Sequence, residues 1–541
     1  MKPLILLLLL SLPTFATISG STVWEVRPTV GNDTNGGGFV TGASGTDFSQ
    51  QNAKNSGGNN SSETDAVAVG TTTITSATAS FTAAIVGNIV FFSGGTGTIT
   101  AQWRQVATFV NGTTITIDAS IAASTGMTMN IGGALATPAQ AYTNAISSNT
   151  IWGKATASYT VTSAQTLAGQ NGQPITFIGY TTTRGDNGQF TWTTATNSID
   201  LFTFSNAYNY VFQNVIFSTT AGTPGDGFHA SAGGGTSGLV HFVNCSLQGF
   251  AVAILGNFSA TESFVTIIVE NTEIKTSVAQ GIFNDGVTVV LGSYIHDNGT
   301  DGIATENAIG QVTGPLFVAH SIIKSNGANG INYNVNTGSP INSAYIWPIL
   351  LNNAIINNTN DGIRLNVNAP GQPGSIIAWN NIIDSNGGFG INGVGTPPLG
   401  IGLTSFLSNA YRANTSGNQN NFSAGTGDVA LSADPFVSRG GNNFALNSTA
   451  GGGTACKGAG FPGVLQIGGT GHIDIGPLQS SGGGGSTAPS ASGFVGALQR
   501  KETLCLIGQH SVTTPIGLIT GMVTIPADSK SMATASICAE Q

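Results

Sequence analysis

The chain has 541 residues, only 7% of them charged, and a formal net charge of −9 that rests on few ionisable groups. Its 15 Lys and Arg form no cluster, so the basic footprint needed to bind a phosphate backbone is missing and nucleic acid is not an expected partner. With 77 glycines and 40% hydrophobic residues the composition permits several domains, or one long repeat-built body.

The first segment, MKPLILLLLLSLPTFA, sets Lys2 before an apolar run from Leu4 to Leu12 and a small-residue site at Thr14-Phe15-Ala16. That layout predicts a secretory signal peptide over residues 1–16, too short to span a bilayer. The mature chain is expected to begin at or just beyond Thr17, outside the cell and without membrane insertion, because no later stretch is long and apolar enough to anchor it. Residues 17–131 are expected to hold an entry segment and a small β module. Residues 21–62 are rich in Gly, Asn, Ser and Thr, and short apolar runs such as AIVGNIVFFSGG and TTITIDASI are divided by NG and GG turns.

Further along, one ten-residue frame returns: EIKTSVAQGI (273–282), YIHDNGTDGI (294–303), IIKSNGANGI (322–331), AIINNTNDGI (354–363) and IIDSNGGFGI (382–391). The closing glycines are separated by 21, 28, 32 and 28 residues, and a looser copy, NVIFSTTAGTPGDGF, ends at Gly227-Phe228. A fixed frame at variable spacing predicts a constant strand–turn–strand unit with loops of differing length on one side. Each unit is too thin to bury its own apolar face, so the copies must stack. Between turns the residues alternate, as in Ile331, Tyr333 and Val335 against Asn332 and Asn334, which is the period of a strand with one face inward.

Asn298, Asn326, Asn358 and Asn386 share one frame position and are expected to form a structural ladder up the stack. The column Gln280, Asp301, Asn329 and Asp361, just before each glycine, reads as turn chemistry. These N-x-I…N…G-I coils resemble the right-handed parallel β-helix of the pectin-lyase-like superfold. The stretch 132–161 is similar to the capping helix and first strand that open such solenoids. The stretch 431–479, with HIDIGPLQ, is similar to their closing coil. The expected fold is therefore all-β: a right-handed parallel β-helix (solenoid) over 132–479, with the small N-terminal β module and a short C-terminal appendage. Residues 480–493, SSGGGGSTAPSASG, have the composition of a flexible linker, and 494–541 are expected to be a small β appendage. Of the four cysteines, Cys505 and Cys538 flank that appendage and are the candidates for a disulfide, whereas Cys245 lies in an alternating strand.

Function on a solenoid belongs on outward positions of stacked strands, which stand about 4.8 Å apart. The third residue after each Gly-Ile is Asp285, Glu306, Asn334, Asn366 and Val394; the first is Phe283, Ala304, Asn332, Arg364 and Asn392. If these columns face out, Asp285 and Glu306 are neighbouring carboxylates, a candidate catalytic pair at the spacing of a retaining glycosidase or an oxygen-ligand metal site. Asn332, Asn334, Arg364 and Asn366 would extend a strip that hydrogen-bonds sugar hydroxyls or uronates. The plainer alternative is a solvated strand face, which any soluble solenoid presents. No CxxC or HExxH spacing marks a metal centre and no glycine-rich run leads into a helix with a Lys, so no cofactor is expected. The superfold hosts lyases, hydrolases, epimerases, adhesins and phage spikes. The expectation is an exported protein that binds, and in one version cleaves, a polysaccharide or cell-surface glycan; the alternatives are an adhesion protein or a phage-type fibre using the solenoid as a rod. Oligomeric state is left open by the sequence.

Overall fold

The computed structural model describes residues 18–479 except 54–61, 98, 168–171, 205–207, 233–237, 259–264, 306–313, 336–347, 368–372, 396–399 and 462–473. The proposed signal peptide, the linker and the appendage with Cys505 and Cys538 lie outside the described residues.

Strands with alternating burial, such as Gly238–Val243 and Val265–Glu270, stack in parallel and in register into three long sheets. One coil shows the unit. Ile349–Leu351 runs in the first sheet, Asn352 and Asn353 turn the corner, Ala354–Ile356 runs in the second sheet, residues 357–362 turn again, and Ile363–Val367 runs in the third. Repeated, this gives a right-handed parallel β-helix. The inward residues form one continuous core from Trp24 to Tyr411. It is aromatic near the start, where Phe202 stacks on Phe228 at 4.6 Å between ring centroids, and aliphatic in the later coils.

Both corners need a residue at positive φ followed by one whose side chain serves the next coil. At the corner between the first and second sheets Asn214, Asn244, Asn271, Asn352 and Asn380 have φ of 47–58°, a region that Asn tolerates. From Thr272 onward the residue at the next position supplies a ladder: the N–H of Ser321 donates to Asn353 Oδ1 (2.9 Å), and Asn353 Nδ2 donates to Asn381 Oδ1 (2.9 Å), which repeats from Asn381 to Asn409 (3.0 Å). At the corner between the second and third sheets Asn298, Asn326, Asn358 and Asn386 are buried, and each Nδ2 donates to the next Oδ1 at 2.9–3.0 Å, ending on Asn414.

The solenoid begins before residue 132. Thr22–Val26 pairs in parallel with Thr150–Lys154, so part of the entry segment is a strand of the first sheet. The helix Pro138–Asn144, capped by the Thr137 hydroxyl accepting from the Gln140 N–H, closes the end of the core with Tyr142, whose ring lies 5.5 Å from Tyr210. Between these elements the six strands of residues 62–131 form a closed barrel with its own core, including Phe92, Ile115 and Met129.

The segment after residue 430 departs from the closing coil that the resemblance implies. Phe436–Ser438 and Asn443–Leu446 form an antiparallel hairpin instead. The second sheet gives the reason. Its outward residues Ile322, Ala354, Ile356, Ile382 and Ala410 are apolar, and Phe436, Phe444, Cys456 and Ile475 fold back to cover them. Cys245 and Cys456 are both buried free thiols. Among the described residues no helix is long and apolar enough to cross a membrane.

Candidate functional site

The third sheet is the one that carries the Gly-Ile strands, and parallel register aligns its side chains coil by coil. One outward column runs Thr203, His229, Leu255, Phe283, Ala304, Asn332, Arg364, Asn392 and Asn420. It is polar at both ends and apolar in the middle, where Phe283 is half-buried and Ala304 buried. The neighbouring outward column brings Asn334 beside Asn366.

An acidic turn column fixes these polar groups. The carboxylate of Asp301 accepts from the Asn329 N–H (2.9 Å) with one oxygen and from Asn332 Nδ2 (3.0 Å) with the other. Asp361 repeats this with the Phe389 N–H (2.8 Å) and Asn392 Nδ2 (2.7 Å). Arg364 Nη1 stands 3.9 Å from Asp361, with about a third of its side chain exposed. Arg364, adjacent to Asn332 across one register step, thus has a partly open head, whereas Asn332 is held by Asp301 with its Oδ1 buried.

The same frame two coils from the start of the third sheet holds a denser cluster. Asp200 Oδ1 accepts from the Asp226 N–H (2.9 Å), Asp226 Oδ1 accepts from the Val252 N–H (3.1 Å), and His229 Nδ1 lies 2.9 Å from Asp200 and 3.8 Å from Asp226. Backbone donors therefore hold one oxygen of each carboxylate and leave the other toward the imidazole. Burial raises the pKa of Asp226, and the charge of Asp200 adds to it. Burial also acts to raise Asp200, but the hydrogen bonds from His229 and the Asp226 N–H outweigh it and hold Asp200 below its ordinary value. His229 is raised, chiefly by its hydrogen bond to Asp200. Two carboxylates whose environments push their pKa values apart are what acid and base roles require. One ligand atom from each residue lies within 4.8 Å of the others, a spread that also suits a metal ion.

The structure treats the sequence candidates unequally. Asn332, Asn334, Arg364 and Asn366 share one face. Asp285 does not join them: it is 4% exposed, contrary to the expectation that it faces solvent. The strand Ile282–Asn284 ends before it, and Asn284 Oδ1 accepts from the Gly286 N–H (3.1 Å), turning the chain at once toward Val287–Leu291. This is the 21-residue coil, the shortest, and Asp285 sits in its corner. Glu306 lies outside the described residues. His296 stands on the second sheet, stacked on Tyr294 (3.8 Å) and held between Glu273 (3.2 Å) and Asp297 (2.7 Å). Asp200, Asp226 and His229 were missed by counting from Gly-Ile frames, although Gly227-Phe228 closes the looser copy and points to Asp226.

No family model and no curated protein matches the chain. Solved structures that resemble it include the A-module of a mannuronan C-5 epimerase from Azotobacter vinelandii, with 13% identity over 55% of this chain and 76% of that one and a TM-score of 0.35. Pectate lyase Pel9A has 15% identity over 64% and 92% of the two chains and a TM-score of 0.41. The catalytic domain of a GH87 α-1,3-glucanase has 12% identity over 76% and 96%, with a TM-score of 0.26.

Proposed function

We propose that this protein is exported and binds a polysaccharide along the outward face of its third sheet, from His229 to Asn420. The observation that carries this is the register-locked column itself. Its side chains repeat at a strand spacing of about 4.8 Å, close to the length of one sugar ring in an extended glycan. The half-buried Phe283 offers a flat apolar surface for a pyranose face, and Arg364, beside Asp361, offers guanidinium donors. A guanidinium in this position favours a carboxylated or sulfated glycan.

The Asp200–Asp226–His229 cluster supports a second reading, cleavage within the same groove. Asp226, raised by burial and by its neighbour, serves as the acid, and Asp200, held ionised, as the opposing carboxylate. One experiment addresses both readings: binding and product analysis on a panel of neutral and acidic glycans. Arg364→Ala is expected to weaken acidic-glycan binding about tenfold or more, as loss of a charge-assisted hydrogen bond worth about 1.5–3 kcal/mol requires. Asp226→Asn is expected to retain binding and abolish product. Unchanged binding by folded Arg364→Ala protein would move the groove elsewhere, and product formation by Asp226→Asn would end the cleavage reading. Export is tested separately by N-terminal sequencing of secreted protein, expected to start at or shortly after Thr17; recovery of Met1 would refute it.

A further inference from the structure

The barrel holds a second acidic cluster, remote in sequence from the solenoid groove. Glu63 and Asp65, two apart on the strand Ser62–Ala68, project toward the turn that carries Ser76 and Thr78. Thr78 Oγ1 lies 2.6 Å from Glu63 Oε2 and 3.0 Å from Asp65 Oδ1. Ser76 Oγ lies 2.5 Å from Asp65 Oδ1, 3.4 Å from Glu63 Oε2 and 3.5 Å from Thr78 Oγ1.

Each hydroxyl has one hydrogen to give these carboxylates, and the Thr78 N–H adds a third donor at Asp65 Oδ2 (3.0 Å). Glu63 is 3% exposed, and its second oxygen, Oε1, is buried and accepts no hydrogen bond among the described residues. A buried carboxylate oxygen without a donor is costly unless positive charge compensates it. Thr78 is exposed, so the cluster opens to solvent on that side.

We propose that Glu63, Asp65, Ser76 and Thr78 form a calcium site. Only oxygen ligands converge there, two of them from carboxylates, and their uneven separations suit the irregular shell of Ca²⁺ better than the strict octahedron of Mg²⁺. The ion would tie the strand Ser62–Ala68 to the 76–79 turn and so hold that side of the barrel together.

The test uses the full chain, freed of metal with chelator and titrated with CaCl₂ by calorimetry, with thermal unfolding followed in parallel. Wild-type protein is expected to bind Ca²⁺ and to unfold at higher temperature in its presence. Glu63→Gln is expected to weaken that binding at least tenfold, and so is Asp65→Asn, a half-exposed change that keeps the fold should the buried one not. Asp226→Asn is expected to leave this binding event in place, which separates it from any ion held by the groove cluster. Absence of a calcium-dependent shift, equal binding of MgCl₂, or calcium binding that survives both barrel substitutions would overturn the proposal.

Discussion

Asn358→Ala is expected to lower stability by about 3–5 kcal/mol, although it removes only an uncharged side chain. Asn358 is 1% exposed; its Oδ1 accepts from the Asn326 N–H (3.1 Å) and Asn326 Nδ2 (2.9 Å), and its Nδ2 donates to Asn386 Oδ1 (3.0 Å). Truncation leaves those two donors in the neighbouring coil unsatisfied and shut off from water, while Asn386 Oδ1 keeps the Asn358 N–H (3.1 Å). Each such group costs about 1–3 kcal/mol. The exposed Asn360, two residues away, is the control, and its change to Ala is expected to stay within about 0.5 kcal/mol. Denaturant titration of both variants decides the matter; equal, small losses would show that the ladder adds nothing beyond ordinary turn preference.

Glu25→Gln is expected to cost about 3–5 kcal/mol by a different mechanism, the removal of a buried charge that two cations require. Glu25 is fully buried. Its Oε1 accepts from Arg27 Nε (2.7 Å) and the Tyr180 hydroxyl, and its Oε2 from Arg184 Nη2 (2.8 Å). Arg27 is itself 7% exposed and pairs with no other carboxylate among the described residues, so neutralising Glu25 strands its charge in the interior. Arg184 also pairs with Asp47 (2.8 Å) and keeps some contact with water, so Arg184→Ala is expected to be milder. A loss under about 1 kcal/mol for Glu25→Gln, measured by the same titration, would mean that water reaches the network.

Much of the solenoid is legible because its rules are repetitive. Gly-Ile marks entry to the third sheet: at Gly302 and Gly330 an added Cβ would meet the carbonyl oxygen of the next coil's glycine at 2.7 and 2.6 Å. The column keeps one residue type from Asn298 to Asn414, so it shows in the letters. The other corner uses Thr272, Ser293, Ser321 and then Asn353 for the same hydrogen bond, a likeness of chemistry that letters conceal. Asp285 shows a second limit. Counting three residues beyond Gly-Ile assumes a strand of constant length, and the shortest coil ends its strand after Asn284. Asp226 keeps the Asp-Gly step of the later copies in Asp226-Gly227-Phe228, whereas Asp200 lies where the turn sequence has diverged, and three-dimensional register aligns it with Asp226.

The closed barrel leaves and rejoins the rest of the chain at one place. Ser62, at its first strand, is paired with Asn130, at its last, and Asn130 Nδ2 donates to the Thr34 carbonyl (2.7 Å) beside them. A body whose entry and exit coincide behaves as a cassette: exchanging it for another of similar footprint asks little of the host, because the loop that must be closed is short either way. The solenoid can therefore keep its register while whatever is mounted at this point diversifies on its own evolutionary clock.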